Sequence, residues 1–203
     1  MFVELLDGQT IQGATVFRLH TMQFDPTMMR ERIAARVFAA MHVPVPRVVH
    51  AEVQVAVSDQ EPRSLGLYTA IEALDAGFLK RNQIPDTSLV MQTDGLNSIQ
   101  YIGDEWTAYA PLFRATRVPD KQQQNRMIAF AKLIGDADDA EFDSKIETFI
   151  STEALLRYVA ANSLTSNLTG FSSLGANDFL CLDSTGMIHV VASEMEVALG
   201  GSV

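Results

Sequence analysis

FDPTMMRERIAARVFAAMHV (residues 24–43) carries the strongest helix signal in the chain, and the segments on either side of it decide the fold. Asp25 is placed to cap the helix and Pro26 to open its first turn, where a missing N–H costs nothing. Met29, Ile33, Val37, Ala40 and Met41 recur at helical spacing, which predicts that they form the buried stripe of a helix over 26–41. Pro44 and Pro46 end it. Before the helix, residues 11–20 (IQGATVFRLH) read as a strand. After it, RVVHAEVQVAV (47–57) and SLGLYTAIEAL (64–74) are β-rich runs joined by the polar SDQEPR, the pattern of an antiparallel hairpin.

Further along, DAGFLKR (75–81) predicts a short helix and SLVMQ (88–92) a strand. Residues 93–118 lack periodicity and read as a long excursion around Trp106 and Tyr109, the kind of segment that is often functional. Helices are expected at about 120–134, 139–149 and 151–164. The last has Ser151 as its N-cap and Leu155, Leu156, Val159 and Leu164 on its buried side. NDFLCLD and MIHVVAS flank the turn-forming STG and make a second hairpin. Sheet-rich sequence therefore comes first and helices later, which predicts an α+β fold. One domain over 1–203 is expected, with a sheet-rich lobe over about 1–118 and a helix-rich lobe over about 119–203 that the second hairpin closes.

At 203 residues, 47% hydrophobic and 20% charged, the chain can bury one full core, with or without a small second lobe. A formal charge of −10 and the lack of a basic stripe exclude nonspecific nucleic-acid binding, which needs cations against a phosphate backbone. No apolar run reaches the ~20 residues that span a bilayer. The start, MFVELLDGQ, lacks the basic segment and apolar core of a secretion signal. An export signal would lie upstream of Met1, and with one the domain would sit at the cell surface or otherwise outside the cytoplasm. The single cysteine, Cys181, rules out an internal disulfide and a cysteine-cluster zinc site, and its setting in FLCL reads as a packed thiol.

VVASEMEVALGG (190–201) ends an apolar run with two carboxylates. Residues two apart on an extended chain point to one side, so Glu194 and Glu196 read either as a metal or phosphate site or as a solvated strand end. His20, His42, His50 and His189 are scattered and read as surface or hydrogen-bonded histidines. Arg30 and Glu31 read as a charge pair on the helix face. DADDAEFD (136–143) lacks the glycine and terminal glutamate of a calcium loop and reads as a solvated helix start.

Five stretches, FDPTMMRERIAARVFAAMHVPVPR, GLYTAIEALDAGFLK, VMQTDGLNSIQYIGDEW, SNLTGFSSLGANDFLCLD and VVASEMEVALGG, together resemble, in that order, the CotH kinase family, the spore-coat-protein-H-like atypical kinases. The resemblance implies a divergent protein-kinase-like fold that binds ATP with Mg²⁺ or Mn²⁺ and phosphorylates Ser or Thr of proteins, the protein substrate being unknown. It places the glycine-rich start of such a domain before Met1 and a helical remainder after Val203, so the chain reads as truncated at both ends.

Residue by residue, the resemblance assigns roles and exposes departures. Val90-Met91-Gln92 stands where the family reads Leu-Tyr-Lys, so Gln92 takes the phosphate-facing position. Thr169 stands where a catalytic aspartate is expected, and Asn177 retains the asparagine that follows it. Ala192-Ser193-Glu194-Met195-Glu196 matches Pro-Trp-Asp-Leu-Asp, which gives Asn177, Glu194 and Glu196 to the metal. Glu72 and Asp75 match a Gly-x-Tyr-x-x-x-Glu-x-x-Asp pattern, with Glu72 meeting nucleotide; a structural ion pair for Glu72 and a helix cap for Asp75 are the other readings. A neutral Gln92 and a base position without a carboxylate imply weak nucleotide binding and slow phosphoryl transfer. The alternative is a pseudokinase-like binding or scaffold protein.

Overall fold

The computed structural model describes residues 1–23, 25–93, 99–170 and 178–200. Among them the chain is mixed α and β, with two four-stranded antiparallel sheets and six α-helices. The first sheet holds β1 (Phe2–Glu4), β2 (Val16–His20), β3 (Val48–Val55) and β4 (Arg63–Glu72) in the order β1-β2-β4-β3. β3 and β4 are the expected hairpin, in register from Val48 opposite Ile71 to Val55 opposite Arg63, with a bulge at Val53/Gln54. β2 is shorter than the 11–20 expected, because Ile11 and Ala14 close a tight turn whose Gly13 takes φ +84°. Within β2 the period of two buries Phe17 and Leu19 against Ala14 and Ala70. Val16, Arg18 and His20 stay half-buried on the opposite face.

Helix α1 (Arg30–Ala40) begins later than the sequence suggested, and it buries a different face. Asp25 sits before the helix, where its carboxylate accepts from Thr27 N at 3.0 Å, Thr27 Oγ1 at 2.6 Å and Arg30 N at 2.7 Å. Burial alone would raise this carboxyl; the three hydrogen bonds and Arg30 outweigh it and hold the group below its ordinary value. The buried row is Glu31, Ala34, Ala35 and Phe38, whereas Ile33 is 41% exposed and Val37 only half-buried. The stripe expected from the large apolar residues is thus corrected. Two alanines let the helix lie close on the core, and Phe38 meets Tyr158 with ring centroids 5.8 Å apart.

The second sheet draws strands from both sides of residue 118: β5 (Leu89–Thr93), β6 (Phe113–Ala115), β7 (Phe179–Leu182) and β8 (Ile188–Val191), in the order β6-β5-β7-β8. Helix α2 (Ala76–Arg81) is capped by Asp75, which accepts from Phe78 N at 2.9 Å. The stretch read as an excursion holds, among its described residues, the short strand β6 and a turn of helix, α3 (Trp106–Tyr109). Tyr109 there is fully buried, accepting from Ile102 N and donating to Gly103 O. Asp120 and Gln123 form a capping box on α4 (Lys121–Asp136), and Asp138 caps α5 (Asp139–Lys145).

Helix α6 (Thr152–Leu164) is capped by Ser151 as expected. It buries Tyr158, Ala161 and Asn162, while Leu156 and Leu164 are 62% and 69% exposed, a second correction of a predicted stripe. The main core lies between the second sheet and helices α1, α4 and α6. Among the described residues no helix is long and apolar enough to cross a membrane.

Candidate functional site

The alternation of β2 delivers two nitrogen side chains to one face, and the rest of the site is built against them. Arg18 Nη1 pairs with Glu194 Oε1 across 176 positions of sequence. His20 Nδ1 lies 3.6 Å from Glu31 Oε2 on α1. Glu31 is 1% exposed, and among the described residues neither of its carboxylate oxygens has a hydrogen-bond partner. The chain leaves β8 at Val191 and reaches Glu194 in the left-handed region, at φ +51°, a conformation that costs a residue with a Cβ about 1–2 kcal/mol. Glu194 and Glu196 are therefore not successive residues of an extended strand. They flank Met195, which is 1% exposed, and both remain half-buried. Burial raises the Glu196 carboxyl above its ordinary value; His20 and Arg18 pull it down, while Glu31 and Glu194 push it up.

Asp178 pins this corner from beneath. Its Oδ1 accepts from Ser193 N at 3.0 Å, its Oδ2 takes the Tyr158 hydroxyl of α6, and its carbonyl accepts from Thr93 N at 3.0 Å at the end of β5. Thr169 lies just past α6, where its hydroxyl is 3.0 Å from both Asn167 Oδ1 and the Glu194 carbonyl. Thr169 and Glu194, 25 positions apart, are thus brought together.

Gln92 and Glu72 line one cavity of about 340 Å³ together with Arg18, Val90, Phe179 and Ser193. Glu194 joins them through Arg18 and through its neighbour Ser193. Asn177 lies outside the described residues. The Glu72 carboxylate is already engaged: Arg81 holds Oε2, Arg47 N donates to the same oxygen at 2.9 Å, and Arg47 Nη1 stands 3.7 Å from Oε1. A larger cavity, of about 780 Å³, lies elsewhere, between α4 and the β7–β8 turn. It holds Arg117, Arg126 and Asp183 and none of the residues singled out from sequence.

A divalent cation does not fit this corner as it is arranged. Glu194 already neutralises a guanidinium, which cannot lose its proton. Among the described residues no three His, Cys, Asp or Glu side chains gather as a metal cage, whereas Mg²⁺ needs near-octahedral oxygen ligation.

Arg18 and Asp178 escaped the reading of the sequence, and Glu31 was misassigned: the charge pair expected between Arg30 and Glu31 is not formed, since Arg30 Nε stands 3.7 Å from Asp25 and Glu31 is buried facing His20. For Arg18 the signal was present, since Arg18 and His20 alternate with apolar neighbours in VFRLH. For Glu31 it was hidden, because a helical carboxylate ordinarily faces solvent.

The sequence model of the CotH kinase protein family matches residues 4–190, and the chain belongs to this family. It is also similar to the inner spore coat protein H of Bacillus subtilis (strain 168), with 20% identity over 206 residues, an alignment that covers 99% of this chain. That alignment takes in 54% of the relative, so the chain spans about half the relative's length.

Proposed function

We propose that this CotH-family domain has a divergent protein-kinase-like fold, a single domain of sheet-rich and helix-rich lobes, and binds ATP in the cavity that Arg18 and Gln92 line. It transfers the γ-phosphoryl group to a Ser or Thr hydroxyl of a protein substrate at a low rate. The observation that carries this reading is the 340 Å³ cavity itself. Val90, Phe179, Ile71 and Leu74 offer apolar walls suited to a base, and Arg18, Gln92 and Ser193 offer donors suited to phosphates. The low rate follows from the residues present. Gln92 can donate to phosphate without a charge, and a charge-assisted bond is roughly twice as strong. Thr169 has no carboxylate with which to take the hydroxyl proton, a role that contributes about 10²–10⁴-fold. Mg²⁺ or Mn²⁺ would bind only weakly, since either must displace Arg18 from Glu194.

A second reading, a binding or scaffold module without turnover, is favoured by the same Thr169, whose hydroxyl already faces Asn167 and the Glu194 carbonyl. One experiment separates the two. Gln92→Lys with Thr169→Asp, made together in the full-length protein, should raise phosphoryl transfer to a generic protein substrate by about a hundredfold or more, because repairing one part of a catalytic unit alone brings little. If ATP stabilises the protein against heat but the double variant transfers nothing, the binding-module reading stands. If no nucleotide stabilises it at millimolar concentration, the kinase reading fails and what is left is a scaffold that takes no nucleotide.

A further inference from the structure

Four arginines line a second, smaller cavity of about 230 Å³ on the far side of the Glu72 ion pair. Arg32 and Arg36 come from α1, Arg47 from the residue before β3 and Arg81 from the end of α2, and Gln12 completes the polar lining. In a chain with 15 Lys and Arg against 25 Asp and Glu, such a gathering runs against the overall charge. Like charges at close range destabilise a fold unless something offsets them. Among the described residues no acidic side chain lines this cavity, and the carboxylate that touches it from behind is Glu72, which takes Arg81 and Arg47. Three more positive than negative charges therefore face one small volume.

Among the described residues no carboxylate neutralises the two helix arginines. His50 Nε2 is 2.6 Å from the Met28 carbonyl and so donates to it, which leaves Nδ1 as an acceptor for Arg32 Nη1 at 3.3 Å. That contact orients Arg32 without cancelling its charge. Arg36 has no ion pair or hydrogen bond from its side chain among the described residues. Gly13 gives Arg47 its room, since a Cβ there would stand 3.3 Å from Arg47 Nη1. Guanidinium groups present planar forks of N–H donors that match phosphate oxygens, and several of them around one pocket suit a dianion or a more highly charged group.

We propose that this pocket is a phosphate-binding site separate from the ATP cavity, taking a multiply charged phosphoryl group through Arg32 and Arg36, with Arg47 and Arg81 behind them. The group can come from a free phosphoanhydride or from a phosphorylated side chain, and the two sources differ in what surrounds the phosphate. Because α1 carries Arg32 and Arg36 next to Glu31, an anion bound here fixes the same helix that meets His20.

The test uses calorimetric titration of the full-length protein with pyrophosphate and with a phosphoserine peptide, each with its unphosphorylated or unrelated-anion control. Arg32→Gln together with Arg36→Gln changes two side chains that hold no carboxylate, so the fold is kept, and far-UV circular dichroism checks it. Arg157→Gln, on an exposed i,i+4 pair with Glu153, controls for net charge. The expected result is saturable binding of at least one probe, weakened about tenfold or more in the double variant, unchanged in Arg157→Gln and falling as salt is added. Tighter binding of the peptide assigns the source to a phosphorylated protein, and tighter binding of pyrophosphate assigns it to a free phosphoanhydride. Absence of saturable binding of both probes, or binding that the double variant leaves unchanged, overturns the proposal; the second result with pyrophosphate would place that probe in the ATP cavity instead.

Discussion

Among the described residues two glutamates are buried, and they are treated in opposite ways. Glu72, 5% exposed at the end of β4, has both oxygens engaged by Arg81 and Arg47. Glu31, 1% exposed on α1, has among the described residues no hydrogen bond to either oxygen and an imidazole at 3.6 Å. A buried charge is tolerated when it is paired and costly when it is not. Glu72 therefore reads as a fastener, tying the end of the first sheet to α2. Glu31 reads as a group kept for something other than stability, since polar groups that break the packing rules gather at functional sites. Glu72 is the better match to a sequence pattern, yet Glu31 is the one whose oxygens are uncommitted.

Substitutions can break this comparison, beginning with the largest effect. Glu72→Ala should lower the unfolding free energy by about 3 kcal/mol, the low end of the range for removing one partner of a buried pair. The low end applies because the Arg47 and Arg81 side chains keep 30% and 29% exposure. Urea unfolding measures it, and a loss near zero would make Glu72 free to serve a ligand.

Asp183 supplies a point between the two. Burial works to raise its carboxyl, but hydrogen bonds from Thr185, His189 and Met187 overcome it and hold the group at about 2, against 3.8 for a free aspartate. A depressed carboxyl contributes stability that is present above the unfolded value of 3.8 and is lost as pH falls toward about 2. Asp183→Ala should accordingly cost about 2 kcal/mol at neutral pH, with the difference from the unmodified protein closing as acid is added. A gap that persists undiminished in acid would assign the effect to the turn geometry rather than to the charge.

Glu31→Leu should have the smallest effect and the opposite sign. Replacing an unsatisfied buried polar group by an apolar one of similar size is neutral or stabilising, here by about 1 kcal/mol. A loss as large as that of Glu72→Ala would show that Glu31 is fastened after all.

Much of the fold was legible because its signals are local. The β3–β4 hairpin, the closing β7–β8 hairpin and the caps Ser151 and Asp75 each depend on a few adjacent residues. The faces of α1 and α6 were misread because large side chains were taken as the buried ones. In both helices small residues permit close packing and set the rotation, Ala34 and Ala35 in one and Ala161 in the other, while Ile33 and Leu156 are left outside. Of the site, the sequence brought Gln92 and Glu72 to one cavity and Thr169 to the Glu194 backbone. It could not supply the pairing of Arg18 with Glu194, 176 positions apart, which follows from the docking of β2 against the turn after β8.

Cys181 has a use that none of these contacts suggests. It is the chain's single thiol, fully buried on β7 among Phe78, Leu79, Ile84, Val90 and Val191, and burial pushes it up to about 12. A thiol held that high and that deep is inert toward disulfide reagents until the structure around it opens. The molecule therefore carries its own clock: the rate of labelling at this one sulfur counts openings of the second sheet. Val90 touches both the thiol's cluster and the cavity beside Gln92, so the same clock runs slower when that cavity is filled, whether or not any phosphate is transferred.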